Sequence, residues 1–229
     1  TTSGGNCAVG YQALRLNTGA NNTAFGTNVL DACTSGNHNS AGGIGSQGKV
    51  TTGTFNSSWG RSALQELTEG HKNTAVGNDA GSGVTTGDYN VFLGHESGIA
   101  GSPGGNVTTA DDQLCLGSNE ITNAHVQVDW TVASDQRDKT NLGTVPHGLD
   151  FVNQLNPVSF QFKKSRDNDT PHGDMRYGFL AQDILALEGD NPVIIDTEFE
   201  ENLKYKGEHL VPVLVNAIKE LKARIEVLE

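Results

Sequence analysis

Basic residues are scarce in this sequence. It has 15 Lys+Arg against 27 Asp+Glu, a formal net charge of -12 over 229 residues. A chain with that balance is poorly suited to wrapping a phosphate backbone, which needs clustered Lys/Arg, so no nucleic-acid partner is expected. Long apolar runs are also missing. None approaches the ~18 residues of a membrane span, so no membrane insertion is expected. The opening Thr1-Thr2-Ser3-Gly4-Gly5 has neither the basic end nor the apolar core of a signal peptide. Three cysteines are too few for a disulfide framework, and none stands in a C-x-x-C pair suited to structural zinc. No metal and no cofactor are expected.

What the chain does have is glycine, and it is unevenly placed. Residues 1–133 hold 23 of the 29 Gly, one of the six Pro and only 14 charged residues. Residues 134–229 hold six Gly, five Pro and 28 charged residues. Two domains are expected, 1–133 and 134–229. In the first, an Asn-small-small-x-Gly unit recurs at Asn6–Gly10, Asn22–Gly26, Asn39–Gly43, Asn56–Gly60, Asn73–Gly77 and Asn90–Gly94. The asparagines are 16, 17, 17, 17 and 17 residues apart. Gln113–Gly117 reads as a degenerate seventh copy. Six copies in register mark a repeat architecture.

The columns of the repeat have physical meaning. Two before each Gly stand Ala8, Ala24, Ala41, Ser58, Ala75, Phe92 and Cys115. One before it stand Val9, Phe25, Gly42, Trp59, Val76, Leu93 and Leu116. That alternation suits one short strand per repeat. The pairs Ala13-Leu14, Val29-Leu30 and Ala63-Leu64 that follow suit a bend or one helical turn. Stacked copies place like above like, with Asn ladders and rows of small residues. A single coil cannot bury its own face, so stacking supplies the core. The fold class expected is a mostly β repeat, a parallel β-roll or β-solenoid. Large apolar groups are few per coil, which favours a trimer of such rolls. Cys33 and Cys115 fall in apolar and small columns and are expected as buried fillers.

The repeats resemble the Gly/Asn repeats of phage fibre proteins and, more distantly, the head repeats of trimeric autotransporter adhesins. The second half carries a more specific series. It runs Ser134-Asp135-Gln136-Arg137-Asp138-Lys139, then His147-Gly148-Leu149-Asp150, then Pro157-Val158-Ser159-Phe160, then Gly178-Phe179-Leu180-Ala181-Gln182-Asp183. This order resembles the peptidase S74 family, the C-terminal intramolecular chaperone of phage tailspikes and tail fibres. The resemblance covers about 134–229 and implies an α+β chaperone domain that cuts its own chain at the Ala133–Ser134 bond. By the same resemblance Ser134 is the nucleophile and Lys139 its general base, with Asp135, Arg137, Gly178, Phe179 and Gln182 as motif support. A hydroxyl attacks only once a base takes its proton. A lysine serves as base when neutral, a form that burial favours. Asp138 departs from the apolar residue often found before the Lys. Contact between the two would hold Lys139 charged, although neighbours on a strand point to opposite sides.

The C-terminus, about 210–229, reads as a coiled-coil-like helix. Val211, Leu214, Ile218, Leu221, Ile225 and Leu228 are spaced 3, 4, 3, 4, 3, a heptad seam. Lys219, Glu220, Lys222, Arg224 and Glu226 fill the outer face. The competing expectation is an amphipathic helix packed on its own domain. The fibre context favours a homotrimer, located in the virion and assembled in the bacterial host cytoplasm. An alternative is a receptor-binding adhesin tip, contacting a host glycan or cell-surface protein, with the chaperone domain retained uncut. A polysaccharide-cleaving enzyme needs paired carboxylates, for which only Glu66, Glu69 and Asp88 offer themselves. Gly43–Gly48 spells G-x-G-x-x-G without a βαβ context. His95-Glu96, Asp111-Asp112, Glu198–Glu201 and residues 166–174 read as solvated surface.

Overall fold

Asparagine and glycine, at fixed places in each repeat, set the architecture. The computed structural model describes residues 4–228; Thr1, Thr2, Ser3 and Glu229 lie outside the described residues, so the signal-peptide reading of the start rests on sequence alone. Seven three-residue strands stack in chain order into one parallel sheet. They are β1 (Cys7–Val9), β2 (Thr23–Phe25), β3 (Ser40–Gly42), β4 (Ser57–Trp59), β5 (Thr74–Val76), β6 (Val91–Leu93) and β7 (Leu114–Leu116). The register is that of the repeat: Ala8 faces Ala24, Ala41 faces Ser58, and Phe92 faces Cys115. This is a parallel β-solenoid, and Gln113–Gly117 provides its seventh rung.

Three interactions hold one coil on the next. The first is an asparagine ladder through the interior. Asn39, Asn56 and Asn73 are fully buried. Each donates its Nδ2–H to the Gly carbonyl of the next coil, at 2.8 Å from Asn39 to Gly53, Asn56 to Gly70 and Asn73 to Gly87. Each also accepts the next asparagine's backbone N–H on its Oδ1, at 3.0 Å for Asn56, Asn73 and Asn90. The second is a threonine column absent from the expectations above. Thr18, Thr34, Thr51, Thr68 and Thr85 each donate a hydroxyl to the Thr carbonyl one coil on. The third is close backbone approach at the repeat glycine. Gly60 has φ +142°, and a Cβ there would sit on the Gly77 carbonyl.

The segments after each glycine are successive turns rather than helix. Leu14, Leu30 and Leu64 adopt left-handed φ of 52°, 50° and 52°, which aims Leu30 and Leu64 into the interior, where both are fully buried. Cys33, Val50, Leu67 and Val84 fill one buried column and Cys115 another; burial pushes the Cys33 thiol up from its ordinary value. The large column points the other way. Val9, Phe25, Trp59, Val76, Leu93 and Leu116 all face solvent. No strand position carries a charge. The charges sit on the turns, paired between coils as Arg15–Asp31, Lys49–Glu66 and Arg61–Asp79.

The chain forms two compact units, one up to Thr122 together with Lys164–Thr170, the other Asn123–Lys163 together with the residues from Pro171 onward. After the solenoid come a short helix α1 (Leu149–Val152), a hairpin of β8 (Val158–Ser165) and β9 (Asn168–Gly178), and a helix α2 (Ala181–Glu188). A small antiparallel pair, β10 (Ile195–Asp196) and β11 (Lys204–Tyr205), precedes the last helix α3 (Leu210–Glu226). Residues 166–174, expected as a loop, instead form the hairpin turn and most of β9. The second core is Phe151, Ile184, Ile194, Ile195, Leu210 and Val213.

Removing one rung of the ladder tests its weight. Asn56→Ala leaves the Gly70 carbonyl and the Asn73 N–H buried without partners. It is expected to lower unfolding stability by about 2–4 kcal/mol. Lys49→Ala, which removes an exposed ion pair, is expected to cost less than about 1 kcal/mol. Urea denaturation of the two variants distinguishes them.

Candidate functional site

Residues 134–139 carry the candidate chemistry, and all six are exposed. Asp135 shapes them. Its carboxylate accepts the backbone N–H of Arg137 at 2.9 Å and so caps a 3-10 turn, Gln136–Asp138. It also takes the Arg137 guanidinium in a fork, from Nε at 3.1 Å and Nη2 at 2.6 Å. The guanidinium and then the backbone N–H of Arg137 hold the Asp135 carboxyl below its usual value, and Asp135 in turn raises Arg137. The turn closes with Lys139 N–H on the Gln136 carbonyl at 3.2 Å. That reversal brings Lys139 Nζ to 2.7 Å from Ser134 Oγ. A pair five apart in sequence thus meets because the residues between them form a turn, not the strand considered above. Among the described residues no ion pair joins Asp138 to Lys139.

The other motif residues serve the domain's architecture. Gly178 ends β9 against Phe160 of β8, whose ring would stand 3.1 Å from a Cβ at Gly178. Phe179 packs on the second core and meets Tyr205 edge-on at 5.9 Å. Gln182 is exposed in the first turn of α2. Among the described residues no hydrogen bond or ion pair joins Gly178, Phe179 or Gln182 to Ser134 and Lys139.

Helix α3 has two working faces. Leu210, Val213 and Ala217 are buried against its own domain. On the same side Asn216 donates to the Val145 and His147 carbonyls at 3.3 and 3.2 Å. Glu220 accepts the Leu149 N–H at 2.9 Å, and Arg224 reaches Asp150 at 3.3 Å. Glu220 and Arg224, expected on a solvated outer face, therefore grip the Gly148-Leu149-Asp150 motif. A Cβ at Gly148 would meet the carboxylate end of the exposed Glu220 side chain. The heptad seam points elsewhere. Val211, Leu214, Ile218, Leu221, Ile225 and Leu228 are all exposed, Ile218 at 66%. The helix ends at Glu226, short of the expected 229, with Leu228 just beyond it.

A further anchor was not visible in the motifs. Glu188, at the end of α2, accepts three successive backbone N–H groups, from Val193, Ile194 and Ile195, at 2.8, 2.7 and 3.0 Å. Its sequence signal is only an acid at a helix end before a Gly-Asp-Asn-Pro turn. Two of the three carboxylates considered for glycan cleavage, Glu66 and Asp88, are used within the solenoid. Glu66 pairs with Lys49, and Asp88 accepts the His71 N–H at 2.6 Å. Asp111, expected as a solvated loop residue, accepts the Asp88 N–H at 2.7 Å.

Residues 134–191 match the Peptidase S74 family, described as chaperone of endosialidase. The match begins at Ser134 and takes in every motif from the Ser134–Lys139 turn to Gln182, about a quarter of the chain. It supports a phage fibre or tailspike chaperone region over those residues, following a parallel β-solenoid. No curated protein and no solved structure matches the chain.

Two outcomes follow from this geometry. Gly148→Ala pushes the exposed Glu220 carboxylate off the Leu149 N–H and is expected to cost no more than about 1 kcal/mol of stability, since water can replace the lost bond. Glu220→Ala should do the same, and the double variant should add little, since one contact is lost in each. Urea melts of the three check this. Asp135 has a depressed folded pKa, so its contribution is complete above the ordinary value of 3.8 and lost as pH falls through the folded value. The Ser134–Lys139 turn is expected intact at about pH 5 and to open only in stronger acid. Carboxyl-carbon NMR titration of Asp135 measures it; a midpoint at or above the ordinary value would contradict the capping fork.

Proposed function

We propose that residues 134–229 act as an intramolecular chaperone that aligns three copies of the repeat segment and then cuts itself free between Ala133 and Ser134. The protein is then the C-terminal part of a phage tail fibre or tailspike, assembled in the bacterial host cytoplasm and carried in the virion. The observation that carries this reading is the 2.7 Å contact of Lys139 Nζ with Ser134 Oγ at the first residue of the family match.

The chemistry is an acyl shift followed by hydrolysis. Neutral Lys139 takes the Oγ–H proton, and Oγ bonds to the Ala133 carbonyl carbon. The C–N bond breaks, and the nitrogen leaves as the Ser134 α-amine with the proton returned from Lys139. Water hydrolyses the ester, which gives the Ala133 carboxylate and restores the hydroxyl. Holding nucleophile, base and scissile bond in one short turn replaces substrate binding with proximity. Excluding water favours a neutral amine, so the cut is expected to follow assembly, which covers the exposed turn.

Two uncovered apolar faces support the trimer, one on each unit. On the solenoid it is the outward column from Val9 to Leu116, and on α3 it is the heptad seam. Contiguous exposed apolar surface of this kind marks an association surface. Three seams joined as a short coiled coil hold three solenoids at high effective concentration. The exposure of residues 134–139, which leaves Lys139 in water, favours a second reading, a receptor-binding tip whose chaperone domain is retained uncut.

Intact mass measurement decides between them. The native sequence is expected as fragments 1–133 and 134–229, with Ser134→Ala and Lys139→Met each giving one uncut mass. A single uncut mass for the native sequence establishes the retained domain instead. In the same samples Leu221→Asp is expected to give a monomer by sedimentation and to slow the cut at least about tenfold, since assembly sets the effective concentration.

A further inference from the structure

The stretch just before the scissile bond is the least explained part of the molecule. Val126, Val128, Trp130 and Val132 alternate with Gln127, Asp129 and Thr131, the period of a strand with one apolar side. No strand forms there: residues 123–133 have no regular secondary structure. All four large side chains face solvent, at 52%, 72%, 71% and 66% exposed. Among the described residues, 124–133 make no hydrogen bond, ion pair or ring contact within the chain. The second core is complete without them. A strand pattern with neither a paired backbone nor a covered side is a strand that lacks its partner.

We propose that residues 126–132 form a β-strand only in the assembled protein, with its apolar side packed on the same segment of neighbouring copies. This rests on the trimeric reading above. Three arguments select a second copy as the partner. In sequence the segment lies between the solenoid's outward apolar column and the α3 seam, the two faces assigned to neighbouring copies. Association through both brings three copies of 126–132 together at high effective concentration. The segment carries one carboxylate, Asp129, and no Lys or Arg, so three copies meet with little repulsion, and the carboxylate lies on the side opposite the valines. Seven extended residues span about 23 Å and present four large apolar groups on one side, more than a solenoid rung of three strand residues can cover. The consequence is a lock. After the cut, 126–133 is the end of the repeat half, and its burial between copies keeps the three shafts joined once the chaperone has left.

Hydrogen–deuterium exchange on the full-length Ser134→Ala chain tests this, with native mass spectrometry of the same sample giving the oligomeric state. The expected result is a trimer whose 126–132 amides exchange on the order of 100-fold slower than those of monomeric Ser134→Ala/Leu221→Asp. A trimer in which these amides exchange as freely as in the monomer overturns the inference and leaves the chaperone function intact. Absence of any trimer overturns both. Protection already present in the monomer overturns it in favour of pairing within one chain. Val128→Asp/Trp130→Asp changes only exposed side chains, so the single chain folds as before. After the cut, its 1–133 fragments are expected to dissociate on dilution at least about tenfold more readily than the native fragments; equal dissociation contradicts the lock.

Discussion

The buried asparagine ladder is the constraint from which the rest of the solenoid follows. A coil of about 17 residues places only a few leucine, valine or cysteine side chains inside, beside an alanine or serine from its strand, so apolar burial alone leaves the coil's interior backbone polar groups unmet. The ladder compensates by satisfying backbone groups that the tight coil would otherwise strand in its interior. Each interior asparagine engages both its amide donor and its carbonyl acceptor on the next coil, and an unmet buried group there would cost more than the bond contributes. Because every rung needs the same two partners at the same height, the period is fixed, and glycine must follow four residues later where backbones nearly touch. The exterior follows from the strand alternation: where alanine, serine or cysteine takes the inward strand position, the large neighbour faces out.

A ladder of identical rungs does not by itself prevent a slip by one coil, and the interior supplies markers against it. Phe92 stands in a column of alanines and serines. It fits because Gly81 and Gly98 replace leucine on the flanking turns, where any Cβ would strike its ring. Two coils earlier, Gln47 takes the leucine position and bonds Ser58 Oγ at 2.9 Å, with Ser46 Oγ also on Ser58 at 2.5 Å. A slip of one repeat would put Phe92 against Leu64 and leave this polar group facing alanine. Buried polar groups act as register marks in coiled coils, and the same physics applies here. Register within one chain is thus written in its core; only register between chains would be left to the chaperone in the proposed function.

The solenoid was legible in the sequence because its signal is periodic. A column repeated six times exposes its own physics, and the small and large columns needed only a direction, inward or outward, from the structure. The threonine column at 18, 34, 51, 68, 85 and 108 has nearly the same period, but serine and threonine are common in loops and the eye passes over them. The second half was legible by resemblance only. Nothing periodic announces that Glu220 caps α1 or that Glu188 binds three amides, because those contacts join residues tens of positions apart or depend on the path of a single turn. Residues 166–174 were misread for a related reason: a hairpin rich in Asp, Asn, Gly and Pro looks like a loop when only its composition is considered.

Helix α3 is held by its own domain and still leaves one apolar face uncovered. Seventeen residues with a single narrow stripe would be marginal as a helix in isolation. Its own domain stabilises it through Leu210, Val213 and Ala217, and through the polar grip of Asn216, Glu220 and Arg224 on residues 145–150. That leaves the 3-4 seam unoccupied and already in helical form, so ordering entropy is spent during folding and not at association. Any partner of that seam would meet a preformed surface. The segment 126–132 is the opposite case, an apolar pattern with no regular secondary structure in the single chain. If the copies associate as proposed, the two segments would give assembly a direction: the preformed α3 seam would meet its partners first, and the stretch beside Ser134 would order last.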